Sequence, residues 1–141
     1  SDSSGKAAIG HGYTYSGHPV GAAAALAAIA ETRRLDVVTN AAARGTQLYD
    51  GMVSLAGQYP VVGDVRGGHG LMTAMELVAD RETKAPIDGK LAIKMQKAAY
   101  QAGALIRVSG PNVILSPSLV IEEADIDIAL NAVEEGLKAI S

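Results

Sequence analysis

The sequence contains no cysteine, no phenylalanine and no tryptophan. Without thiols, neither a disulfide nor a thiolate metal site can form. With five tyrosines as the only aromatics, a core has to be built from aliphatic side chains, with helices approaching closely at alanine-rich faces. Basic charge is not in excess either: 12 Lys and Arg stand against 15 Asp and Glu, for a net charge of −3. That balance leaves no electrostatic case for nucleic acid. Long apolar runs are missing too. The longest, Val20 to Ala30, contains Gly21 and seven alanines, too short and too weakly apolar to span a bilayer. A chain of 141 residues supports one core, and the balance of composition is that of a cytoplasmic globular domain.

What is present falls into recognisable elements. Residues 19–34 read as a helix that is apolar nearly all round, to be buried against something large. Asp36 is placed to cap a second helix over 37–58, where Ala41, Leu48, Met52 and Leu55 recur at helical spacing and Gly45 and Gly51 weaken it. Residues 61–66 and 71–78 read as two strands of a hairpin, and 80–89 as a polar loop. An amphipathic helix over 90–102 ends at Gly103, which suits a left-handed cap. Strands over 104–108 and 112–116 flank the tight turn Ser109-Gly110-Pro111. The closing helix, 122–140, carries Ile126, Ile128, Leu130, Val133, Leu137 and Ile140 mostly on one stripe. These elements predict a small α/β layer of about four short, largely antiparallel strands covered by helices.

The chemistry is concentrated in Gly10-His11-Gly12-Tyr13-Thr14-Tyr15-Ser16-Gly17-His18-Pro19. This glycine- and hydroxyl-rich turn runs straight into the first helix, where unpaired N–H groups and partial positive charge hold an anion. Thr14 and Ser16 can each donate an O–H, so phosphate is the natural guest. The plainer reading is an ordinary helix start, with Ser16 or His18 near the cap and Pro19 in the first turn. Arg107 ends a predicted strand beside a glycine turn. There a guanidinium can take a carboxylate bidentately, or simply lie along the surface. His11, His18 and His69 lack a supporting carboxylate or metal-ligand spacing and read as structural. No metal site is expected.

The decapeptide, followed by a small-residue helix, resembles the class III (omega) aminotransferases, pyridoxal-phosphate enzymes of fold type I. Further matches come in family order: Val65-Arg66-Gly67, Gly70-Leu71-Met72 with Glu76-Leu77, Leu105-Ile106-Arg107, and Val113-Ile114-Leu115 with Pro117. The resemblance covers nearly all of the chain but only about the C-terminal third of a family member. It implies that residues 1–35 belong to the phosphate loop and rim of a large domain, and 36–141 to the small C-terminal domain of a fold type I transferase. The Schiff-base lysine lies upstream in the family, and none of Lys6, Lys84, Lys90, Lys94, Lys97 and Lys138 sits in its context. The chain is therefore expected to be a fragment without its own catalytic residue, and inactive alone.

By the same resemblance, Thr14 grips the phosphate of pyridoxal 5'-phosphate across a dimer interface, with the backbone amide of Tyr13 beside it. Arg107 is the substrate-carboxylate arginine. The loop Arg66-Gly67-Gly68-His69-Gly70 is one residue longer than the family's pattern, which leaves Arg66 as a structural ion-pair anchor. Glu122 stands where the family places a capping hydroxyl. The implied whole enzyme is a homodimer or higher homo-oligomer that moves an amino group from an amine or omega-amino acid to a keto acid such as pyruvate. Two other readings stay open: an aminomutase-like or decarboxylase branch of the same fold, and a non-catalytic α/β module for ligand sensing or assembly.

Overall fold

A bulge at Gly63 sets the first strand pair. Val62 faces Leu77 but Asp64 faces Glu76, so one residue is left over between them, and the strand turns sharply there. In the computed structural model, which describes residues 12–141, this pair lies within the second of two compact units, Ser1–Leu35 and Asp36–Ser141.

Of the first unit, the described part is a turn and helix α1 (Pro19–Arg34). His18 is its N-cap, its Nδ1 accepting from the Gly21 N–H at 3.3 Å, and Pro19 opens the first turn. Proline suits that position because the N–H it lacks has no helical partner there. No α1 residue is buried, so the apolar helix finds no core within its own unit.

The second unit runs α2 (Val37–Gln58), β1 (Val62–Arg66), β2 (Thr73–Asp80), β3 (Ala85–Pro86), α3 (Gly89–Gln101), β4 (Arg107–Ser109), β5 (Asn112–Leu115) and α4 (Glu123–Lys138). The sheet order is β1-β2-β5-β4, with β3 added to β2, and every pairing is antiparallel. Met75 and Leu77 of β2 and Val113 and Leu115 of β5 enter one aliphatic core. There they meet Leu48 and Met52 of α2, Met95 of α3, and Ile126, Val133 and Leu137 of α4. The alternate residues Ala74, Glu76, Asn112 and Ile114 are only half buried and stand on the other face.

Gly45 is required rather than merely tolerated. A Cβ there would overlap the Gly70 carbonyl, so the glycine lets the loop after β1 press onto α2. Gly103 takes φ 105° after α3, as the sequence predicts.

Several expectations need correction. Asp36 stands at the N-cap of α2 as expected, but its side chain takes no helix N–H: it sits at φ 46°, and its Oδ1 accepts the Thr39 hydroxyl at 2.9 Å. Residues 80–89 are not all loop. Asp80 Oδ1 takes the Thr83 N–H and hydroxyl, both at 2.7 Å, and turns the chain back so that Ala85–Pro86 pairs with β2. The strand expected at 104–108 begins only at Arg107, because the Ile106 carbonyl accepts from Gln96 Nε2 at 2.8 Å, outside the sheet ladder. Ile128 does not share the buried stripe of α4; it is half exposed.

Candidate functional site

Two candidate positions lie in different units. In the second unit, a cavity of about 430 Å³ opens at the end of the sheet where β4 begins and β5 ends. Its floor includes Leu48 and Ile126, both fully buried. Its rim carries Met72, Leu105 and Pro117, and among the described residues Arg107 is the only charged one lining it. Arg107 is exposed, and it has no hydrogen-bond or ion-pair partner among the described residues. A permanently charged, planar donor set beside aliphatic walls is suited to a carboxylate. Two parallel N–H···O bonds fix its orientation.

Arg66 is the opposite case. Its Nη1 donates to Asp64 Oδ2 at 3.0 Å and Glu76 Oε2 at 2.9 Å, and its Nη2 donates to Asn112 Oδ1 at 2.6 Å. The hydrogen bond to Glu76, ahead of that to Asp64, holds the guanidinium above its ordinary pKa. Arg66 is thus the ion-pair anchor that the sequence reading expects.

In the first unit, Ser16 is drawn into the turn. Its Oγ accepts the Tyr13 N–H at 3.0 Å, and its N–H donates to the Tyr13 carbonyl at 2.9 Å. Thr14 is left exposed, with neither its N–H nor its hydroxyl partnered among the described residues. An N–H and an O–H on one residue, just ahead of a helix N-terminus, fit a phosphate oxygen. Tyr13 is also exposed, and the Tyr15 ring meets His18 edge-on, with centroids 6.3 Å apart. His11 and Lys6 lie outside the described residues.

The other lysines have surface roles. Lys84 Nζ donates to the Gly63 carbonyl at 2.8 Å, closing the bulge. Lys138 pairs with Glu135 and Glu134, which hold its ammonium above the usual lysine range. Lys90, Lys94 and Lys97 line the exposed side of α3. Among the described residues no group of His, Asp and Glu could hold a metal, and no helix is long and apolar enough to cross a membrane.

Sequence reasoning singles out Arg107 but not the cavity beside it. Met72 and Leu105 fall within the family-like stretches Gly70-Leu71-Met72 and Leu105-Ile106-Arg107, yet nothing in the pattern tells a cavity rim from a loop. Leu48 and Ile126 read only as core.

The profile of the family described as aminotransferase class-III matches residues 3–137. The chain is 37% identical over 134 residues to taurine–pyruvate aminotransferase of Bilophila wadsworthia, covering 90% of this chain and 29% of that protein. It is 34% identical over 137 residues to diaminobutyrate–2-oxoglutarate transaminase of Halomonas elongata, covering 94% of this chain and 29% of that one. It also superimposes, with a TM-score of 0.85 and 39% identity, on the PLP-bound amine transaminase of an uncultivated Pseudomonas species, covering 94% of this chain and 30% of the other. The chain thus spans less than a third of the length of the relatives it matches.

Proposed function

This chain belongs to the class-III aminotransferases, and we propose that the whole protein moves an amino group from an amine or omega-amino acid to a keto acid such as pyruvate, with pyridoxal phosphate as cofactor. The observation that carries this reading is Arg107, among the described residues the single charge on an aliphatic cavity and without a side-chain partner. Bound pyridoxal phosphate supplies the electron sink that amino transfer needs.

This chain's residues bind and orient. The Thr14 hydroxyl and N–H are the proposed grip on the cofactor phosphate, made for the partner subunit of a homodimer; the Tyr13 N–H that the resemblance puts beside them is taken up by Ser16 Oγ in this structure. Arg107 is the proposed clamp on the substrate carboxylate, beside the aliphatic rim of Met72 and Leu105. Residues 1–35 are assigned to the rim of a large domain and 36–141 to the small domain. The enzyme is assigned to the cytoplasm. No lysine of this chain is given a covalent role, so the chain alone is expected to show no turnover.

The test is Arg107→Ala in the full-length enzyme, with the two half-reactions measured separately. A hydrogen bond to a charged group contributes about 1.5–3 kcal/mol, so kcat/KM for alanine and pyruvate should fall roughly 10- to 150-fold. An aromatic amine without a carboxylate should keep its rate. Arg107→Lys should restore little, since one ammonium cannot make two parallel bonds. Equal loss for amine and amino acid would make Arg107 a support of the fold or cofactor and overturn the assignment.

A further inference from the structure

We infer that Gln96 is a positioning residue for the carboxylate clamp: from α3 it holds the Ile106 carbonyl, and through that peptide it sets the direction in which Arg107 leaves β4. The inference rests on the reading of Arg107 as the clamp and goes beyond it to a residue on another element that the clamp works through.

Three observations carry it. First, the half-buried Gln96 donates from Nε2 to the Ile106 carbonyl at 2.8 Å. That oxygen and the Arg107 N–H belong to one planar peptide, and Arg107 is in turn paired with Ile114 of β5. Second, the chain reaches this peptide under restraint. The Gly103 N–H donates to the Tyr100 carbonyl and the Ala104 N–H to the Ala99 carbonyl, both at 3.1 Å. Those bonds and the Gln96 bond bracket Leu105, so the approach to Arg107 is tied to α3 on both sides of it. Third, α3 is itself firmly seated. Met95 and Ala99 are fully buried, and a Cβ on Gly136 would lie 3.0 Å from the Met95 carbonyl oxygen, so α4 packs closely on the residue before Gln96.

The consequence for the clamp is one of direction. β4 has three residues and stands at the end of the sheet. Side chains alternate between faces along a strand; Ile106 is in the core and Arg107 is exposed on the other side. A rotation of the Ile106–Arg107 peptide swings the Arg107 Cα–Cβ bond, and Gln96 restrains that rotation from outside the sheet ladder. A bidentate pair needs two N–H groups aligned on one carboxylate, so a small change of direction loses one of the two bonds. Among the described residues Gln96 is not part of the cavity wall, so its effect on a carboxylate passes through the backbone of β4.

The test uses the full-length holoenzyme. Gln96→Met keeps the length of the side chain and removes the donor; Gln96→Asn keeps a donor but shortens its reach by one methylene. In each, kcat/KM for alanine and pyruvate should fall roughly 2- to 10-fold, as for a neutral hydrogen bond. The dissociation constant of propionate, which cannot react, should rise by a similar factor in calorimetry. An aromatic amine without a carboxylate should keep its half-reaction rate, whereas a general loss of folding would move amine and amino acid together. Added to Arg107→Ala, Gln96→Met should change neither propionate binding nor kcat/KM for alanine any further, because its route to the substrate is gone.

Equal loss for alanine and the aromatic amine would overturn the inference, as would a further loss on the Arg107→Ala background, or propionate binding that neither variant alters. All three results leave the clamp standing, provided Arg107→Ala alone weakens propionate. If Arg107→Ala leaves propionate binding unchanged, the clamp itself is wrong and this inference falls with it.

Discussion

Arg66 and Arg107 stand at opposite ends of one cross-strand row, three strands apart, with Ala74 and Ile114 between them. Three strand spacings put their Cα atoms roughly 14 Å apart. The neighbouring row, Asp64-Glu76-Asn112-Ser109, supplies two carboxylates and an amide that Arg66 takes up. It ends in Ser109, which gives Arg107 no counter-charge. The same side chain is therefore structural on β1 and available on β4, and the difference lies in the adjacent row.

Replacing Arg66 should accordingly cost stability and leave carboxylate binding at Arg107 alone. Arg66 and Asp64 are each half exposed, so screening limits every ion pair to less than about 1 kcal/mol. Losing all three contacts also leaves Asp64 and Glu76 facing each other as like charges on paired strands. Arg66→Met should lower stability by roughly 1–2 kcal/mol in chemical denaturation. In the full-length enzyme, kcat/KM for alanine and pyruvate should not move. A changed kcat/KM without lost stability would mean that Arg66 reaches substrate.

Gly45 and Gly57 lie in the same helix and should respond in opposite directions to alanine. At Gly45 the added methyl meets the Gly70 backbone, which cannot swing away as a side chain can. At Gly57 nothing lies within 4 Å. Gly57→Ala should stabilise by up to about 1 kcal/mol through helix propensity and a less flexible unfolded chain. Gly45→Ala gains the same terms but should lose a net 1–3 kcal/mol to overpacking. Denaturant midpoints of the two variants decide it. A neutral Gly45→Ala would show that the loop after β1 can shift freely.

Asp80 should make the turn before β3 acid-sensitive. The Thr83 N–H, then its hydroxyl, then the Glu82 N–H hold this carboxyl below its ordinary value of 3.8. A depressed folded-state pKa means that the contribution is complete above the ordinary value and is lost as pH falls through the lower folded one. The Thr83 amide proton resonance should therefore titrate with a midpoint below 3.8, and Asp80→Asn should abolish that titration. A midpoint at or above the ordinary value would show that the turn does not stabilise the charged form.

Much of this is legible in the sequence, and the limits have physical causes. Helical spacing placed α2 and α4 because their buried positions recur every three or four residues, and the Gly110 turn placed the β4–β5 hairpin. The two-residue strand β3 was invisible because the Asp80 side chain, rather than a hydrophobic pattern, brings it back to β2. Gly45 read as a defect in α2, since propensity registers the glycine but not the Gly70 carbonyl that needs its space. Arg107 was found through its motif. The rim of Met72 and Leu105 was not, because a cavity is made by residues far apart in sequence, and only the fold brings Leu48, Met72 and Ile126 around one arginine.

The proposed grip on the cofactor phosphate can be separated from every other cofactor contact by removing a single hydroxyl. Thr14 is exposed, and it has an unpartnered N–H and O–H among the described residues. Thr14→Ala deletes one donor and keeps the backbone, while Ser16 still closes the turn through Tyr13. In the full-length enzyme, loss of a hydrogen bond to a charged phosphate, about 1.5–3 kcal/mol, should weaken pyridoxal phosphate binding roughly 10- to 150-fold. Thr14→Ser should retain most of the affinity. Pyridoxal, which has the ring and aldehyde but no phosphate, should bind the alanine variant as well as it binds the unaltered enzyme. Equilibrium dialysis with both compounds gives the comparison. If Thr14→Ala weakens pyridoxal and pyridoxal phosphate by the same factor, Thr14 supports the shape of the site and does not touch the phosphate.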